Sequence, residues 1–376
     1  MTSGVLANAG ELAEMTLEFP NLFGGTEITY RRGFEIFGVP IYWYGILIAV
    51  GVILAYIYAM RRSTKDFGLV KDRVFDVVFV CIVGGFLFAR IYYCVFTTLD
   101  PNNPTNYNFV TTFTTIRDGG IAMYGGTIGA VVIGILMCKL RKVNFFAMVD
   151  LASLGFLIGQ TIGRWGNFIN QEAYGAQCPD NWLFAMTGSQ ISEDMGRGVC
   201  VHPCFLYESV WCLLGFIFLH FYSKKLRTFD GEVALMYLIW YGSGRAVIEQ
   251  LRTDSLYIGS FKVSQLVGII SAAAALVCFV IFKIKTNKSG KPLYVNSDAS
   301  ASLIESDRKA EQEHKEKKKA KSEEKEALKE ASEDISEEIT EEKSEEKSEE
   351  KSEEKSEDKN DEKTEDKETE NGGEDN

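Results

Sequence analysis

The stretch Phe145–Gly175 reads FFAMVDLASLGFLIGQTIGRWGNFINQEAYG. Its first part, Phe145–Ile162, is an apolar run of membrane-spanning length with one carboxylate, Asp150, near its start. Its second part, GRWGNFINQEAYG over Gly163–Gly175, puts an arginine, amides and a carboxylate at the end of that run, with glycines that let the backbone turn sharply. The pairing predicts a membrane helix that ends in a polar site. The same spacing also suits an ordinary helix cap and loop, so the neighbouring segments decide.

Six further segments share that character: approximately Ile41–Met60, Val74–Phe96, Gly120–Leu140, Phe205–Tyr222, Val233–Ile248 and Val263–Phe282. Glycine pairs such as Gly84-Gly85 and Gly125-Gly126 permit close helix approach in lipid. The expected fold class is therefore all-α, a polytopic membrane protein with about seven transmembrane helices, a small external head and a disordered tail. Residues 1–40 are expected to be an external N-terminal arm, 41–286 the transmembrane domain with an external insert at about 163–204, and 287–376 a cytoplasmic appendage.

Charge is divided unevenly along the chain. From Asn287 onward the sequence holds 18 of the 40 Lys+Arg and 32 of the 52 Asp+Glu, so the overall charge of -12 belongs to the tail and the body is nearly neutral. That tail repeats KSEE from Lys343 and has too few apolar side chains to offset the entropy of ordering, although its fourfold period suits Glu/Lys pairs on a solvated helix. Within the body, cations gather at Arg61, Arg62, Lys65, Lys71 and Arg73, at Lys139, Arg141 and Lys142, at Lys224, Lys225 and Arg227, and at Lys283, Lys285 and Lys288. These alternate connections are expected to face the cytoplasm, with the N-terminus outside, the C-terminus inside and the Gly163–Gly175 stretch facing outward. Lys262, Arg31 and Arg32 run against the rule. The first 40 residues lack a basic start and a long apolar core, unlike a cleavable signal peptide; they are expected to lie along the outer interface or to be unstructured.

Several polar residues fall inside or beside the spans. Tyr241, Arg245, Glu249 and Arg252 are spaced four, four and three, which places them on one helix face near its outer end, with Arg245 and Glu249 close enough to pair. Such a face costs several kcal/mol in hydrocarbon unless it lines a cavity. Arg90 and Arg164 bring guanidinium groups from two other spans. Three arginines converging at one depth would form a phosphate site, because the guanidinium fork matches phosphate oxygens bidentately; a lone arginine would instead snorkel. His202, Tyr207 and Glu208 open the fifth span behind Pro203, where a helix cap is the simpler reading. Tyr44, in IYWYG, also fits an interfacial belt, and Asp150 is expected to have a structural partner.

Of the eight cysteines, Cys81, Cys94, Cys138, Cys212 and Cys278 fall in or beside spans, where a thiol acts as a small hydrophobe. Cys178, Cys200 and Cys204 lie in the long external connection, where oxidation is possible but the pairing cannot be deduced. With His202 they make a poor zinc pattern, lacking a fourth ligand.

GRWGNFINQEAYG resembles the signature of bacterial phosphatidylglycerol-prolipoprotein diacylglyceryl transferases. The resemblance continues in order through WYG at Trp43–Gly45, GGFLFAR ending at Arg90, GGIAMYGG at Gly119–Gly126, HPCFLYE at His202–Glu208 and YxxxRxxxExxRxD over Tyr241–Asp254. It covers nearly all of Ile41–Phe282, leaving out the tail and the insert around Gln177–Val201. It implies an enzyme of the bacterial cell membrane that moves the diacylglyceryl group of phosphatidylglycerol onto the lipobox cysteine of a preprolipoprotein. The product is a thioether and glycerol phosphate leaves; no metal, organic cofactor or nucleic-acid partner is expected.

Arg164 and Arg245 suit that reaction as stabilisers of phosphate charge, and cations also favour the thiolate of an incoming cysteine. Asn167 and Gly175 are expected to orient lipid oxygens, and Glu172 and Glu249 to hold arginines or accept a proton. Arg90, Tyr44, His202, Tyr207, Tyr241 and Arg252 complete the expected substrate site. Tyr124 stands where many relatives have histidine; a phenol is a poor base near neutral pH, which puts an imidazole-dependent mechanism in doubt. Two other classes compete: a secondary transporter for an anionic solute, which would want broken helices at the midplane, and a receptor or scaffold acting through its acidic tail.

Overall fold

The computed structural model of the protein describes residues 12, 14–99, 109–114 and 120–325. Each of the seven expected segments is a helix: α1 (Trp43–Phe67), α2 (Lys71–Leu99), α4 (Met123–Leu140), α5 (Phe145–Asn170), α7 (Cys204–Lys225), α8 (Glu232–Leu251) and α9 (Val263–Ser289). Two short helices, α3 (Phe109–Thr114) and α6 (Ser189–Met195), lie between them. Six of the long helices are apolar enough to cross a membrane. The seventh, α8, has the length, but Arg245 and Glu249 interrupt its apolar sequence, so apolarity alone does not qualify it.

The ends of α5, central to the bundle, are set locally. Asn144 caps its start, its Oδ1 accepting from the Ala147 amide at 3.0 Å. Gln171, in left-handed conformation, ends it and receives no further helical turn. Around α5 pack α1, α7 and α8, while α2 pairs with α4 and α8 with α9. Small residues set the closest approaches: a Cβ on Gly242 of α8 would come within 2.5 Å of the Gly268 carbonyl of α9. Large apolar side chains such as Phe79, Val131 and Ile270 remain exposed on the outer faces, as lipid-facing helices require.

Opposite ends of the bundle differ. At one end a β head forms: β1 (Glu14–Glu18) pairs antiparallel with β2 (Ile28–Arg31) and with β5 (Thr187–Gly188), and the hairpin β3 (Gly33–Ile36)/β4 (Val39–Tyr42) leads into α1. A short hairpin of β6 (Tyr257–Ile258) and β7 (Phe261–Lys262) joins α8 to α9. The unstructured alternative for the N-terminal arm is thus corrected from Glu14 onward. Leu17 alternates inward to meet Met186, Val201 and Phe205 in a small core, and buried Gln171 ties β1 to α6 through the Thr16 carbonyl (2.7 Å) and the Gln190 amide (3.0 Å).

The other end gathers the basic connections: Arg73 reaches the Arg141 carbonyl at 3.0 Å and Arg227 the Asp66 carbonyl at 2.7 Å. Here the tail begins later than composition suggests. After Gly290 ends α9, apolar Leu293–Val295 brings the chain back, with the Tyr294 amide on Asp230 (2.8 Å) and buried Ser300 donating to the Gly68 carbonyl (2.7 Å). The chain divides into two units, residues 1–305 and 306–376. In the second, the described residues 306–325 are helical, with i,i+4 pairs Lys315–Glu311 and Lys319–Glu323. The KSEE repeats and residues 1–11 lie outside the described residues.

Candidate active site

The site is built where α5, α7 and α8 meet beneath the head. Two tryptophans lock α7 to α8: Trp211 and Trp240 stack at 4.5 Å, and each indole N–H donates to the other's carbonyl at 2.9 Å. Gly244 takes the Trp211 ring and Gly215 that of Trp240, and any side chain at either glycine would collide with an indole. The Ser209 hydroxyl joins α7 to α5, donating to the Thr161 carbonyl (2.8 Å) and accepting from the Trp165 indole (3.2 Å). These ties fix Glu208 and Arg245, each next to one of them in sequence.

Glu208 is the centre. It is 3% exposed, and three guanidinium groups from separate segments converge on it: Arg164 of α5 at 2.5 Å, Arg245 of α8 at 3.1 Å and Arg252, just beyond α8, at 3.2 Å. The expected pair also forms, Arg245 with Glu249, and Glu249 accepts from the Ser255 hydroxyl at 2.8 Å. Arg252 grips Asp254 bidentately at 2.7 and 2.9 Å. Burial raises the Asp254 pKa, but the Arg252 hydrogen bonds and charge overcome it and hold the carboxyl below its ordinary range. Arg164 also touches Asn167 (3.4 Å), whose amide donates to Glu172 at 2.8 Å.

Lys262, one of the exceptions in the charge pattern, has a local explanation. Its ammonium bonds the carbonyls of Glu249 (2.7 Å), Gln250 (3.3 Å) and Arg252 (2.7 Å), capping the carbonyl end of α8 where a cation is favoured. Gly175 is also placed by backbone geometry: its amide donates to the His202 carbonyl at 2.8 Å, and it bridges to Arg252. A Cβ there would lie 2.7 Å from His202 Cβ.

Other expected site residues sit around this cluster. Tyr44 packs against Gly166, one turn from Arg164's end of α5, and Tyr241 stacks on Tyr237 at 5.7 Å. His202, Tyr207 and Trp182 form a separate group: the Trp182 indole donates to Tyr207 at 2.9 Å and His202 Nδ1 lies 3.2 Å from the same hydroxyl. Burial lowers the His202 pKa. Tyr124 is exposed at the start of α4. Arg90 is buried, donating to the carbonyls of Gly120 (2.7 Å) and Thr112, and the third guanidinium on Glu208 is that of Arg252.

Two open spaces differ in relation to this chemistry. One of about 590 Å³ lies in the head, lined by Glu18, Glu27, Glu193 and Arg197 among others, and none of its lining belongs to the Glu208 cluster. The other is a crevice of about 10 Å³, bordered by Glu208, Trp211, Cys212, Tyr241 and Arg245. The smaller one matters more here, because Glu208 and Arg245 line it. Motif and spacing alone assign no role to Glu208 or Asp254. A carboxylate four residues into an apolar helix was the available signal for Glu208.

The profile of the prolipoprotein diacylglyceryl transferase family matches residues 32–281, a range that contains every residue of this cluster. The chain belongs to this family. Among curated relatives, the phosphatidylglycerol-prolipoprotein diacylglyceryl transferase of Staphylococcus haemolyticus (strain JCSC1435) is 41% identical over 275 residues, covering 70% of this chain and 93% of the relative. That of Bacillus cereus (strain G9842) is 38% identical over 273 residues, 72% of this chain and 97% of the relative. A Bacillus anthracis protein of the same name is 39% identical over the same length. The family match ends within α9, so the acidic extension lies outside it.

Proposed function

We propose that the Glu208 cluster is where this chain performs diacylglyceryl transfer from phosphatidylglycerol to the cysteine thiol of a prolipoprotein. The observation that carries the reading is the meeting of Arg164 and Arg245, from different helices and both partly exposed, on one buried carboxylate. A guanidinium has five N–H donors. After binding Glu208 and, for Arg245, Glu249, each retains donors for the phosphate of a lipid headgroup.

In the reaction, the cysteine sulfur attacks the glyceryl carbon that bears the phosphodiester oxygen. A C–S bond forms, the C–O bond breaks, and glycerol phosphate departs with the electron pair. Arg164 and Arg245 stabilise the charge that grows on the departing phosphate, an effect worth about 2.7–4 kcal/mol for one well-placed donor. Glu208 keeps the guanidinium groups aimed, and Glu249 and Glu172 hold Arg245 and Asn167. The thiol proton passes to a carboxylate or to water, since Tyr124 lacks the basicity of imidazole. His202, Tyr207 and Tyr44 border the site as substrate contacts.

The basic connections share one end of the bundle and the head occupies the other, which supports an N-terminus and active site outside the cell membrane and a C-terminus in the cytoplasm. A secondary transporter is less well supported, because α5, α7 and α8 each run unbroken. The test uses purified protein in phosphatidylglycerol vesicles labelled in the diacylglyceryl group, with a lipobox peptide and its Cys-to-Ser counterpart. Label is expected on the cysteine peptide alone. Label on neither peptide, from protein that is folded and inserted, would sink the proposal.

A further inference from the structure

We propose that Cys178 and Cys200 form a disulfide that closes the head loop between them. Three cysteines lie in this connection, and the tertiary structure singles out two. Gln177 and Val201 are antiparallel bridge partners, flanked by hydrogen bonds from the Cys178 amide to the Cys200 carbonyl (2.9 Å) and from the His202 amide to the Ala176 carbonyl (3.1 Å). This register puts Cys178 directly opposite Cys200, with both side chains on one face of the ladder. Residues opposed across an antiparallel ladder have Cα atoms about 4.5–5.5 Å apart, within the roughly 4.4–6.8 Å that a disulfide spans. The two thiols are buried together against Ala185, away from the larger cores. Cys204 lies past the ladder as the first residue of α7, its sulfur against Gly175.

The oxidant is a disulfide of the thiol–disulfide oxidoreductase or low-molecular-weight class. One cysteine thiolate attacks a sulfur of that disulfide and expels a thiolate, leaving a mixed disulfide. The second cysteine thiolate attacks the protein-bound sulfur and expels the other. The two cysteine protons end on the expelled thiolates; the protein loses two electrons and the oxidant becomes two thiols.

The closed loop reaches into the active-site region. It contains Trp182, whose indole bonds Tyr207 and whose ring lies 5.7 Å from that of His202. It also holds β5 and α6, the parts that complete the head sheet. Asn21 already ties the turn near its start, donating to the carbonyls of Asp180 (2.6 Å) and Trp182 (2.8 Å). The disulfide adds a covalent anchor at the base of the same loop and limits how far Trp182 departs from Tyr207.

The full-length protein in its own membranes is blocked with N-ethylmaleimide under denaturing, non-reducing conditions and mapped by mass spectrometry, before and after incubation with oxidised glutathione. The expected product joins the Cys178 and Cys200 peptides, disappears on reduction, and is missing from Cys178→Ser and Cys200→Ser proteins. Reductant should lower the thermal midpoint of the wild type by several degrees and leave the double Cys→Ser variant unmoved. Separate modification of both thiols after oxidised glutathione, or linkage of either to Cys204, would overturn the pairing. A wild-type midpoint indifferent to reductant would overturn the anchoring role.

Discussion

Helix α8 carries a charged cluster at each end, and the two clusters use the same chemistry for different purposes. At its amino end, Asp150 of α5 is fully buried and accepts from the amides of Gly231 (2.8 Å) and Ala234 (2.9 Å), with Arg227 at 3.7 Å. Glu232, also fully buried, takes Lys283 at 2.5 Å, the Tyr222 hydroxyl at 2.5 Å and the Thr228 hydroxyl at 2.9 Å. Carboxylates are favoured there, because the helix amides point outward with a positive partial charge. Their oxygens are used up by amides, hydroxyls and cations of the fold. At the carboxyl end the signs reverse: cations gather, and the side chains of Arg164, Arg245 and Arg252 stay 12–19% exposed around a single shared carboxylate. One end fastens the helix; the other leaves cationic donors partly exposed.

The sharpest way to break that contrast is to remove a donor at the carboxyl end. Arg245→Ala is expected to lower transfer by about 10²–10³-fold, with normal insertion, measured with labelled phosphatidylglycerol and a lipobox peptide. A folded variant with full activity would end the contrast. Glu208→Gln leaves three guanidinium groups without their common counter-charge. Loss of one partner from a buried pair costs about 3–5 kcal/mol, so both thermal stability and transfer should fall, and an unchanged midpoint would demote Glu208.

At the amino end the expectation differs in kind. Asp150→Asn should cost about 1.5–3 kcal/mol, the range for hydrogen bonds to a charged group, while activity per folded molecule stays level. Comparing denaturation midpoint with specific activity separates the two; a selective loss of activity would show that this end also serves catalysis. Lys262→Met removes the cation that caps the α8 carbonyls, for which about 0.3–1 kcal/mol is expected, read as a small fall in thermal midpoint.

The smallest effect is a pH dependence from His202 in the head. Burial lowers its pKa below the ordinary 6.5, so the unfolded chain takes up a proton first as pH falls. Its contribution to stability is complete above pH 6.5 and declines as pH drops towards the folded value. Midpoints measured through this window in wild type and His202→Gln should converge towards the acid side; parallel curves would contradict the assignment.

Much of this architecture was legible in the chain. Span length and hydropathy located the helices because lipid leaves a backbone little choice but to satisfy its own hydrogen bonds. The Arg245–Glu249 pair was readable too, since i,i+4 neighbours meet on any helix. Less legible was the head, where strands of four or five residues are stabilised by a distant segment, β5, that no local pattern announces. The docked Leu293–Ser300 segment was hidden because it is a short, weakly apolar run at the start of a long charged extension.

By itself, the sequence determined the helical membrane class, the family, and the residues from which a cationic site is drawn. Only the tertiary structure decided that Glu208 organises that site, that Arg252 and not Arg90 is its third guanidinium, and that Lys262 caps α8. Glu208 stands 37 residues from Arg245 and 44 from Arg252. Contacts over such separations depend on how whole helices are set against one another, and side-chain spacing along one helix carries no information about that.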